Sequence, residues 1–312
     1  MKILVTGGAG YIGSVLTEVL FQQSFNKNRV RVLDNLMYGD GNLKHLCHEK
    51  SFNFIQGDVR NTATLKNAMK DADVIIPLAA IVGAGACDKH PELAREINID
   101  QISFICKNKS RDQRLIYPNT NSGYGTKSGE EYCTEETPLE PITHYGRTKV
   151  AAERFVLDTE NAISFRLATV FGVSPRMRID LLVNNFVYKA MTDNSLLIYE
   201  KHFKRNFVHI RDVASCFEAC TYCIMPHNLY NLGNDEENLT KEELANKVKK
   251  YIPSLYISYD GSQEDPDKRN YIVSSKRLRD DLLPVPYRTI DEGIEELMKC
   301  YRMFGRSKYR NV

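Results

Sequence analysis

A short apolar run, Ile3-Leu4-Val5, breaks into Thr6-Gly7-Gly8-Ala9-Gly10-Tyr11-Ile12-Gly13 and then resumes at helical spacing from Ser14 to Phe21. Gly7 permits a tight turn after the strand, Gly10 lets backbone amides approach a diphosphate, and Gly13 lets the helix pack closely on the strand. Tyr11 and Ile12 complete the loop, and the diphosphate of a dinucleotide would sit at the helix N-terminus. Glycines that merely turn a loop are the competing reading. The coincidence of strand, glycine triplet and a downstream acid favours the dinucleotide site. The same glycines interrupt what would otherwise imitate the apolar stretch of a secretory leader.

The rest of the first half alternates β-branched runs with helical stretches. Val30–Leu33, Phe52–Ile55, Val74–Ile76, Arg114–Tyr117 and Ile163–Arg166 read as further strands. Thr62–Met69, Pro91–Cys106 and Tyr145–Thr159 read as helices between them. Strands spaced by helices predict a parallel sheet, hence an α/β, doubly wound, Rossmann-type fold. After Gly172 the alternation becomes irregular, as a smaller α/β substrate lobe at the C-terminal side would make it. A chain of 312 residues accommodates both. The expected division is a dinucleotide-binding domain over 1–172, to which 205–225 return, and a substrate lobe over 173–204 and 226–312. A helix is expected from Thr240 to Tyr251.

Composition excludes several classes. Lys plus Arg at 42 nearly balance Asp plus Glu at 40, which disfavours a nucleic-acid partner. The mildly basic tail, Arg302, Arg306, Lys308 and Arg310, reads as a solvated end. The longest apolar stretch, Val74–Cys87, is interrupted by Pro77, Gly83 and Gly85 and is too short to span a bilayer, so no membrane partner is expected. Eight cysteines without a secretory leader point to reduced thiols and a cytoplasmic location. Cys216, Cys220 and Cys223 have spacing that can hold an iron–sulfur cluster, but on one helix face they read instead as small buried apolar residues. No metal site is expected.

Asp34 ends the second strand, where its carboxylate can accept hydrogen bonds from both ribose hydroxyls and would repel a 2′-phosphate. NAD is therefore the expected cofactor, with Asn35 beside it, although Arg31 and Arg60 nearby leave a place for NADP. Asp58-Val59 either meets the adenine edge or serves as an ordinary turn. Tyr145-Gly146-Arg147-Thr148-Lys149 puts a phenol and an ammonium one helical turn apart. A tyrosine of pKa about 10 is a poor base at neutral pH unless a nearby cation favours its phenolate, and Lys149 is the expected cation.

Taken together, Gly7–Gly13, Asp58-Val59, Leu78-Ala79-Ala80, the helix carrying Asn98, Thr120–Gly125, Tyr145–Lys149, Arg166–Gly172, Arg205–Ala214 and Tyr230–Gly233 resemble the extended short-chain dehydrogenase/reductases of the nucleotide-sugar epimerase/dehydratase family, over essentially the whole chain. The resemblance implies that Tyr145 is the general base, Lys149 its activator and ribose anchor, and Thr120 the partner hydroxyl. It implies that Leu78, Ala79, Ala80 and Asn98 surround NAD. The substrate would be a nucleotide-diphosphate sugar, usually oxidised at C4.

Departures from the family pattern narrow the reaction. Family members that dehydrate the sugar carry an Asp-Glu pair where this chain has Asn121 and Ser122, and neither replacement exchanges protons readily near neutral pH. Thr169 stands where many members place a substrate-binding Asn. The segments Asn119–Gly125, Ser174–Arg178 and Asp265–Arg269 are similar to enzymes of capsule-heptose synthesis that oxidise C4 of GDP-D-glycero-D-manno-heptose. Arg176, Arg178, Arg205, Arg211 and Arg269 are candidate diphosphate ligands or surface charges. Cys87 is expected to pack rather than act in a 3,5-epimerase or ketoreductase, and His144 and His209 need no role beyond packing. A non-catalytic NAD-sensing protein is the competing class, disfavoured because Tyr145 and Lys149 are both present. A homodimer is expected through the helices 91–106 and 145–159, since Ile97, Ile102, Ile105, Val150, Phe155 and Val156 exceed what one sheet face needs.

Overall fold

The computed structural model describes residues 1–22, 28–128, 130–260, 269–282 and 287–303. The first half contains β1 (Lys2–Thr6), α1 (Tyr11–Gln22), β2 (Arg29–Asp34), β3 (Phe52–Gln56), α2 (Thr62–Met69), β4 (Val74–Pro77), α3 (Ala84–Lys89), α4 (Pro91–Arg95), α5 (Gln101–Asn108), β5 (Arg114–Thr120), β6 (Tyr132–Cys133) and α6 (His144–Leu157). There follow β7 (Ala162–Leu167), β8 (Thr169–Phe171), α7 (Leu182–Thr192), β9 (Ser195–Ile198), β10 (Lys204–His209), α8 (Ile210–Tyr222), β11 (Leu229–Leu232), β12 (Asn234–Thr240), α9 (Lys241–Tyr251), β13 (Tyr256–Tyr259), β14 (Ile272–Val273), α10 (Lys276–Asp281) and α11 (Ile290–Met303).

Seven strands form one parallel sheet in the order β11-β7-β5-β4-β1-β2-β3. Both faces are covered, so successive residues of one strand supply opposite cores. Ile3 and Val5 pack with Val15, Leu16, Phe165 and Phe217 beneath α1 and α8. Leu4 packs with Ile75, Leu115, Ile102, Ile105 and Val156 beneath α5 and α6. The order reverses between β1 and β4, and the loops leaving their carboxyl ends open there the crevice in which α/β sheets bind ligands. A third core, with Val183, Phe186, Leu244, Ile294 and Leu297, unites α7, α9 and α11 in the smaller lobe.

The expected division needs one correction. β11 lies in the range assigned to the substrate lobe, yet it is the edge strand of the large sheet. Tyr230 and Leu232 point into the same core as Phe165, and the Tyr230 and Phe165 rings stack with centroids 5.7 Å apart. In the returning segment 205–225, the helix packs against α1 and Val208 of β10 joins the same core, while β10 pairs with β8 and β12 in a separate small sheet.

The helix expected over Pro91–Cys106 is interrupted by a π turn at Glu96–Asp100. The extra residue turns Asn98 into the protein, where it hydrogen-bonds both Ile81 N and Ile81 O at 2.9 Å. The late helix begins at Lys241, with Thr240 as its cap in a reciprocal capping box with Glu243. Cys216 and Cys220 are buried, but Cys223 caps the end of α8 and is exposed, so the three thiols do not share one environment.

The apolar surplus expected for a partner subunit is also smaller than the spacing suggests. Ile97, Ile102, Ile105 and Val156 are buried within this one chain. They cover the sheet and the loops above it, a demand that counting helix positions underestimates.

A buried ion pair ties α6 to the large sheet. Arg166 on β7 and Glu153 on α6 meet at 2.9 Å with both side chains about 5% exposed or less. Asn119 and Ser164 complete the carboxylate's hydrogen bonds at 2.6 and 2.7 Å. Arg166→Met strands a buried carboxylate and is expected to cost about 3–5 kcal/mol by chemical denaturation. Adding Glu153→Gln to that variant should recover a large part; a double variant as unstable as the single one would show that the charge is not the cause.

Candidate active site

A cavity of about 570 Å³ runs from the glycine loop to the smaller lobe. Gly7, Gly10, Tyr11, Ile12 and Gly13 form one end, continuing through Asp34, Asn35, Val59, Leu78, Ala79 and Ala80. Thr120, Ser122, Tyr145 and Lys149 lie along it, with Thr169, Arg176, Arg178, Arg205 and Arg269 on the smaller-lobe side. Asp58, Asn98, Asn121 and Arg211 do not line it.

The glycine loop has the clearance a dinucleotide cradle requires. Gly7 adopts φ +69°, and a Cβ there would lie 2.5 Å from Ala79 N; one on Gly13 would lie 2.3 Å from Gly7 O. Only glycine allows β1, the loop and α1 to approach so closely. Asp34 Oδ2 accepts from Ala9 N at 2.9 Å and Oδ1 from Leu36 N at 2.8 Å. Two amides fix the carboxylate and leave acceptor capacity for ribose hydroxyls. Arg31 donates to the Ala68 and Lys70 carbonyls, and Arg60 pairs with Asp58 and Glu96, so both cations that favoured a 2′-phosphate are engaged elsewhere. These residues fit NAD.

Tyr11 does more than complete the loop. Its hydroxyl donates to Gly172 O at 2.8 Å and accepts from Asn184 Nδ2 at 3.2 Å, while Ser174 Oγ donates to Tyr11 O at 2.7 Å. The cofactor loop is thus sewn to the start of the smaller lobe. Asn98 lies behind the cavity wall and holds Ile81 in place, also donating to Thr148 Oγ1 at 3.1 Å. Asp58 Oδ1 accepts from Arg60 N at 2.8 Å, and its Arg60 partner holds it below the usual carboxylate range.

Thr143 caps α6 by accepting from Gly146 N at 3.1 Å, which fixes the helix start and aims Tyr145 into the cavity. Thr120 lines the same cavity as the phenol and lowers its pKa. Burial pushes its pKa up to about 12, against the lowering influence of Arg178 and Arg269. Lys149 Nζ sits 4.1 Å from the Tyr117 ring centroid, and burial lowers its own pKa to about 7.

Among the candidate substrate ligands, Arg178 pairs with Asp180, Arg176 lies over the Tyr38 ring at 5.0 Å, and Arg205 lies over Tyr271 at 5.7 Å. Arg211 sits in the first turn of α8, where its amide is capped by His209, so it belongs to that helix start. His209 also meets Glu296 at 2.6 Å, a role beyond packing. Asn121 is 1% exposed and neither of its amide atoms has a hydrogen-bond partner. Cys87 is fully buried, donates to Ile81 O at 3.4 Å and is pushed up to about 11 by burial. Tyr38, Thr143, Asn185 and Lys241 line the cavity without having been singled out in the sequence. The cap position of Thr143 before Tyr145 is the one local signal that would have found any of them. Asp265–Lys268 and Arg306, Lys308 and Arg310 lie outside the described residues.

The model of the NAD dependent epimerase/dehydratase family matches residues 3–233, and the chain belongs to that family. The uncharacterized UDP-glucose epimerase YtcB of Bacillus subtilis is 32% identical over 256 residues, spanning 76% of this chain and 78% of that protein. In fold the chain is similar to UDP-glucuronic acid 4-epimerase from Bacillus cereus, solved with UDP-glucuronic acid and NAD, at TM-score 0.84 and 24% identity over 97% of this chain and 100% of that one. It is equally similar to dTDP-glucose 4,6-dehydratase from Bacillus anthracis, solved with NAD, at TM-score 0.84 and 23% identity over 99% and 98% of the two chains. NAD is the cofactor of this enzyme, whose reaction class is that of the nucleotide-sugar epimerases and dehydratases.

Asp34→Ser is expected to weaken NAD about tenfold or more, since charged hydrogen bonds to the ribose are lost, and to raise the relative affinity for NADP. Calorimetric titration with both dinucleotides checks it. An unchanged affinity ratio removes Asp34 from the ribose site.

Proposed function

We propose that this enzyme oxidises C4 of a nucleotide-diphosphate sugar, with Tyr145 taking the proton from the C4 hydroxyl. The observation that carries the reading is the placement of Tyr145 and Thr120 together in one cavity, between the glycine cradle and the smaller-lobe arginines. The cradle of Gly7, Gly10 and Gly13, with Asp34 on the ribose, would hold NAD, whose nicotinamide when bound accepts the hydride from the sugar carbon. Thr120 orients the phenol. Lys149, at the same cavity wall, would hold the ribose hydroxyls. Arg176, Arg178 and Arg205 supply positive charge and planar donors suited to a diphosphate.

Residues 121 and 122 support simple C4 chemistry over dehydration. Asn121 does not line the cavity, and Ser122 is an ordinary hydroxyl engaged with Thr120, so the pair offers no acid and base for losing the C6 hydroxyl. Cys87, with its thiol pushed up by burial, offers no base for 3,5-epimerisation. Whether the ketone is released, as in a 4-dehydrogenase, or reduced again on the opposite face, as in a 4-epimerase, is the first thing to measure. GDP-D-glycero-D-manno-heptose, for capsule or polysaccharide synthesis, is the finer proposal, resting on the similarity of Asn119–Gly125 and Ser174–Arg178. UDP-glucose and UDP-glucuronic acid are the alternatives drawn from the names of the relatives. A cytoplasmic setting belongs to the same proposal, supported by eight unpaired cysteines.

The test incubates the purified protein with GDP-heptose, UDP-glucose, UDP-glucuronic acid and dTDP-glucose and follows keto sugar, epimer and cofactor reduction together. Tyr145→Phe is expected to lower kcat by about 100-fold or more while NAD content stays the same. Turnover within a few-fold of wild type would end the assignment of Tyr145 as base.

A homodimer through α5 and α6 is also proposed, now resting on the apolar side chains that the monomer leaves partly uncovered: Phe104, Val150 and Phe155, the last 37% exposed. A twofold axis would cover the same patch on both copies. Light scattering should give twice the mass of one chain, reduced towards one chain by Phe155→Asp. A single-chain mass for the wild type at low micromolar concentration rejects the dimer.

A further inference from the structure

One cation of the smaller lobe reaches the hydroxyls beside the phenol. Arg269 Nη1 donates to Ser122 Oγ. The same oxygen accepts from Thr120 Oγ1 at 3.0 Å, and Thr120 lines the cavity beside Tyr145, whose pKa it lowers. Thr120 Oγ1 in turn accepts from Ser122 N at 3.1 Å. The Thr120 hydroxyl has a single hydrogen and two oxygens that can receive it. Directed at Ser122, as in the structure, it leaves Thr120 as an acceptor for the protonated phenol. Directed at Tyr145, it stabilises the phenolate.

We propose that Arg269 is a positioning residue for proton removal: by donating into Ser122 Oγ, it weakens that oxygen's hold on the Thr120 hydrogen and lets Thr120 turn towards Tyr145 as the phenol ionises. This deepens, and rests on, the reading of Tyr145 as base. An oxygen already accepting from a guanidinium is a poorer acceptor for a second donor. The guanidinium stays protonated at every working pH, so its influence is constant.

Its charge acts in the same direction. The groups around the phenol are Tyr117 and Thr120 on β5, Cys87 on α3, Lys149 on α6, and Arg178 and Arg269 from the smaller lobe, with Asp180 paired to Arg178. Burial raises the phenol most, Cys87 adds to it, and Arg178, Arg269 and Thr120 oppose it. Among the described residues that lower the phenol pKa, Arg269 both carries charge and touches the hydroxyl pair beside Tyr145.

The proposal parts from a diphosphate-binding role in what it moves. A phosphate ligand changes KM and leaves the ionisation of the phenol alone. A positioning residue changes the pH at which the phenol becomes a base. Because the base form exists above the phenol pKa, raising that pKa moves the acid limb of the kcat profile to higher pH.

Two readouts test it on the full-length, NAD-loaded protein. The first is the pH profile of kcat at saturating substrate. The second, independent of turnover, is near-ultraviolet titration of phenolate as the difference between each protein and its Tyr145→Phe partner. Arg269→Gln is expected to raise both values by about one unit, the size of one opposite charge removed from nearby, and Arg269→Lys to return part of that shift. Ser122→Ala removes the competing acceptor and is expected to move both values down. A higher KM with limb and titration unmoved assigns Arg269 to the diphosphate and overturns the proposal; so does no change in either, or an upward shift in Ser122→Ala. Should Arg269→Gln lose its NAD and fold, the Lys and Ser122→Ala variants decide by the same shifts. Turnover retained in Tyr145→Phe would overturn the base assignment instead, while the titration still reads what Arg269 does to the phenol.

Discussion

The Glu153–Arg166 pair holds the catalytic half of the molecule in register. Glu153 lies one helical turn beyond Lys149, and its partner sits on β7 beside β5, the strand that ends in Thr120. From Arg166 the hydrogen bonds continue to Tyr124 O–H at 3.1 Å and to Glu135 O at 3.2 Å. Tyr124 then donates to Asn231 Oδ1 at 2.6 Å, and Asn231 Nδ2 donates to Ser274 O at 3.1 Å. One buried charge pair therefore joins α6, β5, β7, β11 and the chain around β6 and β14. Desolvating two such charges is favourable only when every remaining donor and acceptor is satisfied, which Asn119, Ser164 and Tyr124 accomplish. The same carboxylate favours the charged form of Lys149 and partly offsets the burial that lowers it.

What the sequence made legible follows from how local each signal is. The glycine loop, Asp34 and the Tyr145–Lys149 spacing are short-range patterns, each with a mechanical reason, and the structure brings them to one cavity. The seven-strand sheet was foreseen for six strands because Val, Ile and Leu runs bounded by turns mark buried parallel strands. β11 escaped because its four residues, Leu229–Leu232, follow a long irregular stretch, and its place depends on Phe165, far away in sequence. The π turn at Glu96–Asp100 was equally hidden: nothing in Glu-Ile-Asn-Ile-Asp breaks a helix, and the turn exists to satisfy Ile81 through Asn98. The influence of Arg178 and Arg269 on Tyr145 is tertiary too, and no spacing in the sequence brings them near it. The dimer surplus was overcounted for the same reason, since Ile97 and Ile102 are claimed by loops and strands of their own chain.

Arg31, Arg60 and Arg211 illustrate how a cation near a site in sequence can be unavailable to it in space. The first is held by two carbonyls at the end of α2, the second by Asp58 and Glu96, and the third begins α8. Arg176, Arg178, Arg205 and Arg269 come from the irregular second half, where periodicity has nothing to say, and they are the ones facing the cavity.

The seam at Tyr11 bears on how such an enzyme can be recombined. Tyr11 belongs by sequence to the cofactor loop, but its buried hydrogen-bond partners are Gly172, Ser174 and Asn184, and Ser14 and Ser174 meet at 2.9 Å. Gly172 itself adopts φ +112°, and a Cβ there would come within 2.6 Å of His209 Nε2. A chimera that exchanged smaller lobes between relatives by cutting after residue 172 would inherit loop and lobe from different parents and leave Tyr11 facing strangers. Residues 11, 14, 172, 174 and 184 form a unit of inheritance that straddles the domain boundary, so new substrate lobes are better grafted together with the loop that grips the cofactor.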